Sequence, residues 1–231
     1  MVRAGRSVAP ARAVPAETLA HLAVGVEPSG VVLGRDSAGR AVLVRLFARE
    51  PMSVAFVGGW WAARLLLFRC LAHGAAVTVA ARDPRDPARP GSVADTAHWL
   101  TLDQAAGRGH VTLAAPGSEG PQAGPARPLL RVHDLGPEFP AGRLPRPWQT
   151  GLTVLPQVTP ASVPLLAAAD VLLVQRLPEP EAALLGSALG ARADLVSRLP
   201  AMDDEMVAAF GAGSVRYAWL TPTPIERHLF G

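Results

Sequence analysis

Apolar residues along this chain fall into short β-branched runs separated by stretches with helical spacing. Residues 31–47, VVLGRDSAGRAVLVRLF, hold two such runs around a polar, glycine-containing turn, which predicts a hairpin. VAFVG then predicts a strand, residues 60–73 a helix, and AVTVAA the next strand. Residues 82–91, RDPRDPARPG, form a loop, and 92–106 a helix with Ser92 as its cap and His98, Trp99 and Leu102 towards one side. HVTLAAP, LLRVHD, GLTVLPQV and ADVLLVQRL predict further strands. Between them, GSEGPQAGPARP is a glycine- and proline-rich loop, and GPEFPAGRLPRPWQ an irregular crossing segment. Helices are expected around 161–169 and over EPEAALLGSALG, closed by Gly190. DDEMVAAFG reads as a short helical turn and SVRYAWLTP as the last strand.

Several apolar strands alternating with helices imply an α/β fold. The expected architecture is a mainly parallel sheet covered by helices, a P-loop- or Rossmann-like three-layer sandwich with an N-terminal β-hairpin. No internal repeat is visible. A basic, alanine-rich segment, 1–27, precedes a single α/β domain over 28–231.

Composition narrows the class. The chain is 49% hydrophobic and 18% charged over 231 residues, enough apolar material for one sizeable core. Its 22 basic residues are all arginine, there is no lysine or asparagine, and Ile225 is the single isoleucine. High genomic GC content explains that bias. The absence of lysine raises the pI, yet the formal net charge is only +3, so a nucleic-acid-binding face is not expected. The arginines at 82, 85 and 89 interleave with Asp83 and Asp86 as a solvated loop would.

Cys70, the one cysteine, lies in the apolar run RLLLFRC and reads as a buried core thiol. Glu17 and His21 interrupt the first apolar run, against a signal peptide. Prolines 156, 160 and 164 break the longest uncharged stretch, against a membrane helix. The expected location is the cytoplasm, with room for attachment at a membrane-bound partner.

The stretch VAFVGGWWAARLLLFRC poses the central question, because a strand, a glycine turn and a helix open both kinds of nucleotide-binding unit. A dinucleotide fingerprint, G-x-G-x-x-G, counted from Gly58 meets Trp60 and Ala63 where its second and third glycines belong. An indole at the pyrophosphate position clashes with the cofactor, so NAD(P) binding is the least favoured reading. The phosphate loop, G-x-x-x-x-G-K-[ST], gives a closer register. Gly58 and Gly59 open it, Ala63 replaces the second glycine, Arg64 the lysine and Leu65 the hydroxyl residue. Arginine does not repeat the point charge of lysine, and leucine offers magnesium no oxygen. Trp60 and Trp61 are expected to fill the loop. A second acidic motif follows at LLRVHD, ending in Asp134, but Leu135 stands where a catalytic glutamate belongs.

With these residues in view, VVLGRDSAGRAVLVRLFAREPMSVAFVGG resembles the segment leading into the phosphate loop of FtsK/SpoIIIE-type ATPases. ADVLLVQRLPEPEAALLGSALG and TPTPIERHLFG are similar to that superfamily's later strand, helix and tail. The resemblance covers about residues 28–231 and implies an actinobacterial P-loop-like domain, with a link to type VII secretion. Gly58 and Asp134 are its only single-position matches, so no catalytic residue carries over. It implies a pseudo-ATPase that serves as a structural or regulatory protein partner of an FtsK-like motor or a membrane-associated secretion complex. No cofactor is expected, and homo-oligomerisation is compatible with it. The alternative is a nucleotide-binding enzyme with Arg64 as phosphate clamp and Asp134 as metal contact. The candidate nucleotide-site residues are therefore Gly58, Gly59, Arg64 and Asp134.

Other chemistry is sparse. The six histidines lack metal-ligand spacing, so no metal site is expected, and no G-x-S-x-G is present. His133 is expected to cap a backbone carbonyl. Asp203, Asp204 and Glu205 read as the acidic start of a helix. The five tryptophans are expected as core or interface anchors, with Trp148 in a strap across the sheet. Arg64 is expected to pair with Asp134.

Overall fold

A computed structural model describes residues 30–82, 93–137 and 146–230. The expected N-terminal segment 1–27, the body of the 82–91 loop, the Ser92 cap and part of the crossing segment lie outside these residues. The hairpin is β1 (Val31–Arg35) and β2 (Ala41–Val44). Its turn is closed by Asp36, whose Oδ1 accepts from the backbone N–H groups of Ala38 and Arg40 at 2.9 Å each.

β3 (Met52–Val57), α1 (Trp60–Ala72) and β4 (Ala76–Ala81) follow as expected. After α2 (Val93–Ala105) come β5 (Val111–Leu113), β6 (Leu129–Asp134) and β7 (Gln149–Leu155). α3 (Val163–Ala167), β8 (Val171–Val174), α4 (Glu179–Leu189) and α5 (Ala193–Arg198) complete the middle of the chain. β9 (Met206–Gly211), β10 (Ser214–Trp219) and α6 (Pro224–Phe230) close it.

All ten strands form one sheet, in the order β2-β1-β10-β9-β8-β3-β7-β6-β4-β5. The six strands from β8 to β5 are parallel, and β9, β10, β1 and β2 add an antiparallel block. The fold class is therefore the expected α/β sheet with an N-terminal hairpin. One element differs in kind: DDEMVAAFG is not a helical turn, because residues 206–211 pair on both sides, with β8 and β10. Methionine and alanine favour helix locally, but two neighbouring strands satisfy this backbone instead.

Alternation along the strands builds two cores. Val54 and Phe56 of β3 face one layer with α1, α2 and Phe230, whereas Ala55 and Val57 face α4 and α5. The first layer is clamped by Arg69 of α1. Its Nε and Nη2 donate to the two carboxylate oxygens of Glu226 at 2.7 and 3.0 Å, and its other hydrogens reach the carbonyls of Leu33 and Thr221. Glu226 also accepts from the Thr223 N–H while Thr223 Oγ1 accepts from the Glu226 N–H, a capping box that starts α6. Hairpin, first helix and last helix thus meet at one buried ion pair. Cys70 is fully buried, and burial pushes its thiol up to about 12.

Candidate functional site

The carboxyl ends of the parallel strands, where the order reverses around β3, are the ligand-binding edge of such sheets. Gly58 and Gly59 stand there, between β3 and α1. The helix begins at Trp60, so only these two residues separate strand from helix. Trp60 and Trp61 therefore do not fill a loop, as expected from the sequence; they form the first turn of α1. The expected spacer positions are helical because Ala62, Ala63, Leu65 and Leu66 are all buried on the core side.

Gly59 caps α1 without a side chain, and the first turn contains no acid. The missing acceptor comes from another strand. Gln175, directly after β8, accepts from the Gly59 N–H at 2.8 Å through Oε1, and donates through Nε2 to the Asp204 carbonyl at 2.8 Å. A capping box would obtain the same contact from the third residue of the helix itself. A methyl group at Gly58 would overlap the Gln175 amide, which explains the glycine there. In a phosphate loop, backbone N–H groups converge on an anion. Here an amide oxygen takes the one at Gly59.

A cleft of about 790 Å³ opens beside this turn. Its walls are mainly apolar, formed by Trp60, Trp61, Pro156, Leu177, Pro178 and Pro200, and the Arg176–Asp204 ion pair at 2.7 Å lies within its lining.

Arg64 does not reach Asp134. Its guanidinium lies 5.5 Å from the centre of the Phe230 ring, and its buried Nε has no hydrogen-bond partner. Six positions after Gly58 is more than one helical turn, enough to carry the side chain away from the strand end and onto the last helix. The expected pair is thus replaced by a cation–π contact.

Asp134 sits at the end of β6, with β7 between it and β3. Its Oδ2 accepts from the indole N–H of Trp99 at 3.0 Å. Trp99 is fully buried and meets Trp60 edge-on at 5.2 Å, while Trp60 stacks on His98 at 4.6 Å. An aromatic chain therefore links the Gly58 turn to Asp134. At the end of β4, Arg82 donates to the Leu135 carbonyl at 3.1 and 3.2 Å.

Further expectations are corrected. His133 does not cap a carbonyl: its Nε2 is buried without a partner, and burial, helped by the nearby Arg131 charge, lowers its pKa to about 4. Asp203 to Glu205 do not start a helix. They precede β9, and Asp203 accepts from the Trp219 indole at 2.9 Å. The candidate site also includes Gln175, which sequence reasoning passed over; its signal was a polar residue immediately after the buried run VLLV. Trp148, expected in a strap across the sheet, instead extends the β7 ladder: its backbone N–H donates to the Arg49 carbonyl and its carbonyl accepts from the Leu129 N–H.

Among the described residues no group of three metal-ligating side chains occurs, and no helix is long and apolar enough to cross a membrane. No protein-family model matches the sequence, and no curated protein matches it significantly. Solved structures do resemble the fold. VirB4 of Thermoanaerobacter pseudethanolicus superposes with a TM-score of 0.58 at 10% identity, over 87% of this chain and 99% of that one. The cytoplasmic domain of the Thermomonospora curvata type VII secretion ATPase EccC gives 0.49 at 12% identity, over 87% of this chain and 31% of that one. The DNA-packaging ATPase B204 from Sulfolobus Turreted Icosahedral Virus gives 0.49 at 8% identity, over 72% and 96%. The likeness to VirB4, at 10% identity, is one of fold.

Proposed function

We propose that this protein is a pseudo-ATPase: a P-loop-like domain, over 28–231, that has lost nucleotide chemistry and acts as a structural or regulatory protein partner. The observation that carries this reading is the Gln175–Gly59 hydrogen bond, because an internal amide occupies the backbone donor that a phosphate would need. Three features support it. The helix starts at Trp60, leaving no loop to wrap a phosphate chain. Leu65 offers no hydroxyl to magnesium. Asp134 is engaged by Trp99. On this reading Gly58, Gly59, Arg64 and Asp134 mark a nucleotide site converted to structural use, and the partner is an FtsK-like motor or secretion complex.

Calorimetry with magnesium and ATP tests it. The expected result is no measurable heat and no hydrolysis, and low-micromolar magnesium-dependent affinity would overturn it. The cleft beside Gly58 is the one feature that favours the alternative, a nucleotide-binding enzyme. The same titration separates the two.

A further inference from the structure

The second face of the sheet is covered unevenly. Over β8 and β9 it is packed by α4 and α5. On β10, Arg198 at the end of α5 lies over the Tyr217 ring at 5.8 Å; over β1 and β2, no helix among the described residues lies on it. Val31, Leu33, Val42 and Val44 point into the first core, so alternation turns Val32 and Leu43 outwards onto this second face. These two are directly opposite in the β1–β2 register and are 47% and 37% exposed. They are two of only five large apolar side chains exposed among the described residues.

A second apolar area lies further along this face, on the far side of the Arg35–Ala41 pair. Trp219 pairs with Arg35 across β1 and β10, and Tyr217 follows on the same side of β10. Next to them, a hollow of about 420 Å³ is lined by Met202, Met206, Tyr217 and Trp219, with Asp36 and Arg198 also in its wall. Adaptable thioethers beside a tyrosine and a tryptophan are the composition of an interface anchor pocket.

Charge decides what fits. Arg35, Arg45 and Arg198 rim this surface, are exposed, and form no ion pair among the described residues. The acids nearby are already used: Asp36 by Arg40 and the hairpin turn, Asp203 by Trp219. Residues 31–49 hold four arginines and one aspartate, a local excess of +3 that equals the formal charge of the whole chain. Two copies packed through this face would set arginines against arginines, which disfavours self-association.

We propose that this face docks an acidic amphipathic helix of a partner protein, its apolar stripe lying over Val32 and Leu43 and reaching the Met202–Trp219 hollow. Such a helix would continue the layer that α4 and α5 begin. Its Asp and Glu side chains would meet Arg35, Arg45 and Arg198. The inference rests on the interaction role proposed above and adds the surface and the partner chemistry.

Two labelled peptides of about 18 residues, roughly 27 Å as helix, test it by fluorescence anisotropy with the full chain. Both carry the same leucine stripe, one flanked by glutamates and the other by lysines. The glutamate peptide should bind at least about tenfold more tightly and weaken as salt is raised. Val32→Asp and Leu43→Asp should each weaken it by about tenfold or more. Leu113→Asp, on the opposite edge strand, should leave it unchanged. If either face variant melts early, Arg45→Glu, at an exposed position, should show the same loss. Equal binding of both peptides, or wild-type binding by the face variants, would overturn the proposal. So would a dimer that Leu43→Asp dissociates. Magnesium-ATP calorimetry on the same samples keeps the two ideas apart: nucleotide binding with peptide binding intact sinks the inactive-site reading alone, and the reverse pattern sinks the docking face alone.

Discussion

The side-chain oxygen of Gln175 accepts a hydrogen bond from the backbone N–H of Gly59, across 116 residues of sequence. This contact caps the first helix from the end of the strand beside β3. It also ties the turn to the segment before β9, through the Asp204 carbonyl.

Gln175→Ala should destabilise the fold by about 1–2 kcal/mol, since two modest hydrogen bonds are lost while the freed N–H faces the cleft. Gly58→Ala should cost about 1–3 kcal/mol because the new methyl group overlaps that same amide. The pair should be strongly non-additive, with Gly58→Ala cheaper when Gln175 is already alanine. Urea denaturation of the four proteins measures the coupling. Additive costs would show that the glycine is required for some other reason.

Trp99 should matter more than Trp60. Trp99 is fully buried and donates to Asp134, whereas Trp60 is partly exposed and stacks on His98. Trp99→Ala is expected to cost about 3–5 kcal/mol. Trp60→Ala, which removes the stack on His98 and the edge contact with Trp99 from a partly exposed position, should cost less, about 1–3 kcal/mol. Melting temperatures in the opposite order would contradict this assignment.

Breaking the buried Arg69–Glu226 pair should be severe. Glu226→Ala leaves the guanidinium of a largely buried arginine without its carboxylate, a loss of about 3–5 kcal/mol. Burial by itself would raise the Glu226 carboxyl, but the hydrogen bonds from Arg69 and the Thr223 N–H outweigh it and hold the pKa below the usual 4.5. The stabilisation is therefore complete above about pH 4.5 and is lost as pH falls through the lower, folded-state value. Glu226→Gln should flatten the stability curve in that acid range only.

His133 should act in a different window. Its pKa falls from 6.5 to about 4 on folding, chiefly through burial. Below pH 6.5 the unfolded chain takes up a proton that the folded one refuses, so stability declines from pH 6.5 down to about 4 and then levels. The full effect is of order 3 kcal/mol. His133→Phe should remove that slope while leaving the Glu226-dependent fall below it, and NMR titration of the imidazole should show it neutral at pH 6. A protonated His133 at that pH would contradict the burial argument.

Local pattern carried much of this architecture. The hairpin followed from β-branched runs around a glycine turn, and the β3–α1–β4 unit from an apolar strand, two glycines and a helical stripe. The end of α4 at Gly190 and the burial of Cys70 were equally legible, because each depends on residues close in sequence. What the tertiary structure decided lies in long-range pairing. Residues 206–211 became a strand because β8 and β10 flank them, against their own preference for helix. Thr223 and Glu226 form a capping box readable in sequence, but only the fold brings Arg69 to complete it. Arg64 turned to Phe230 because helical rotation aims it away from Asp134. The glycine turn alone suggested an altered phosphate site. Its occupation by Gln175 could not be read locally, since a hydrogen bond between distant segments exists only once the sheet has set β3 and β8 side by side.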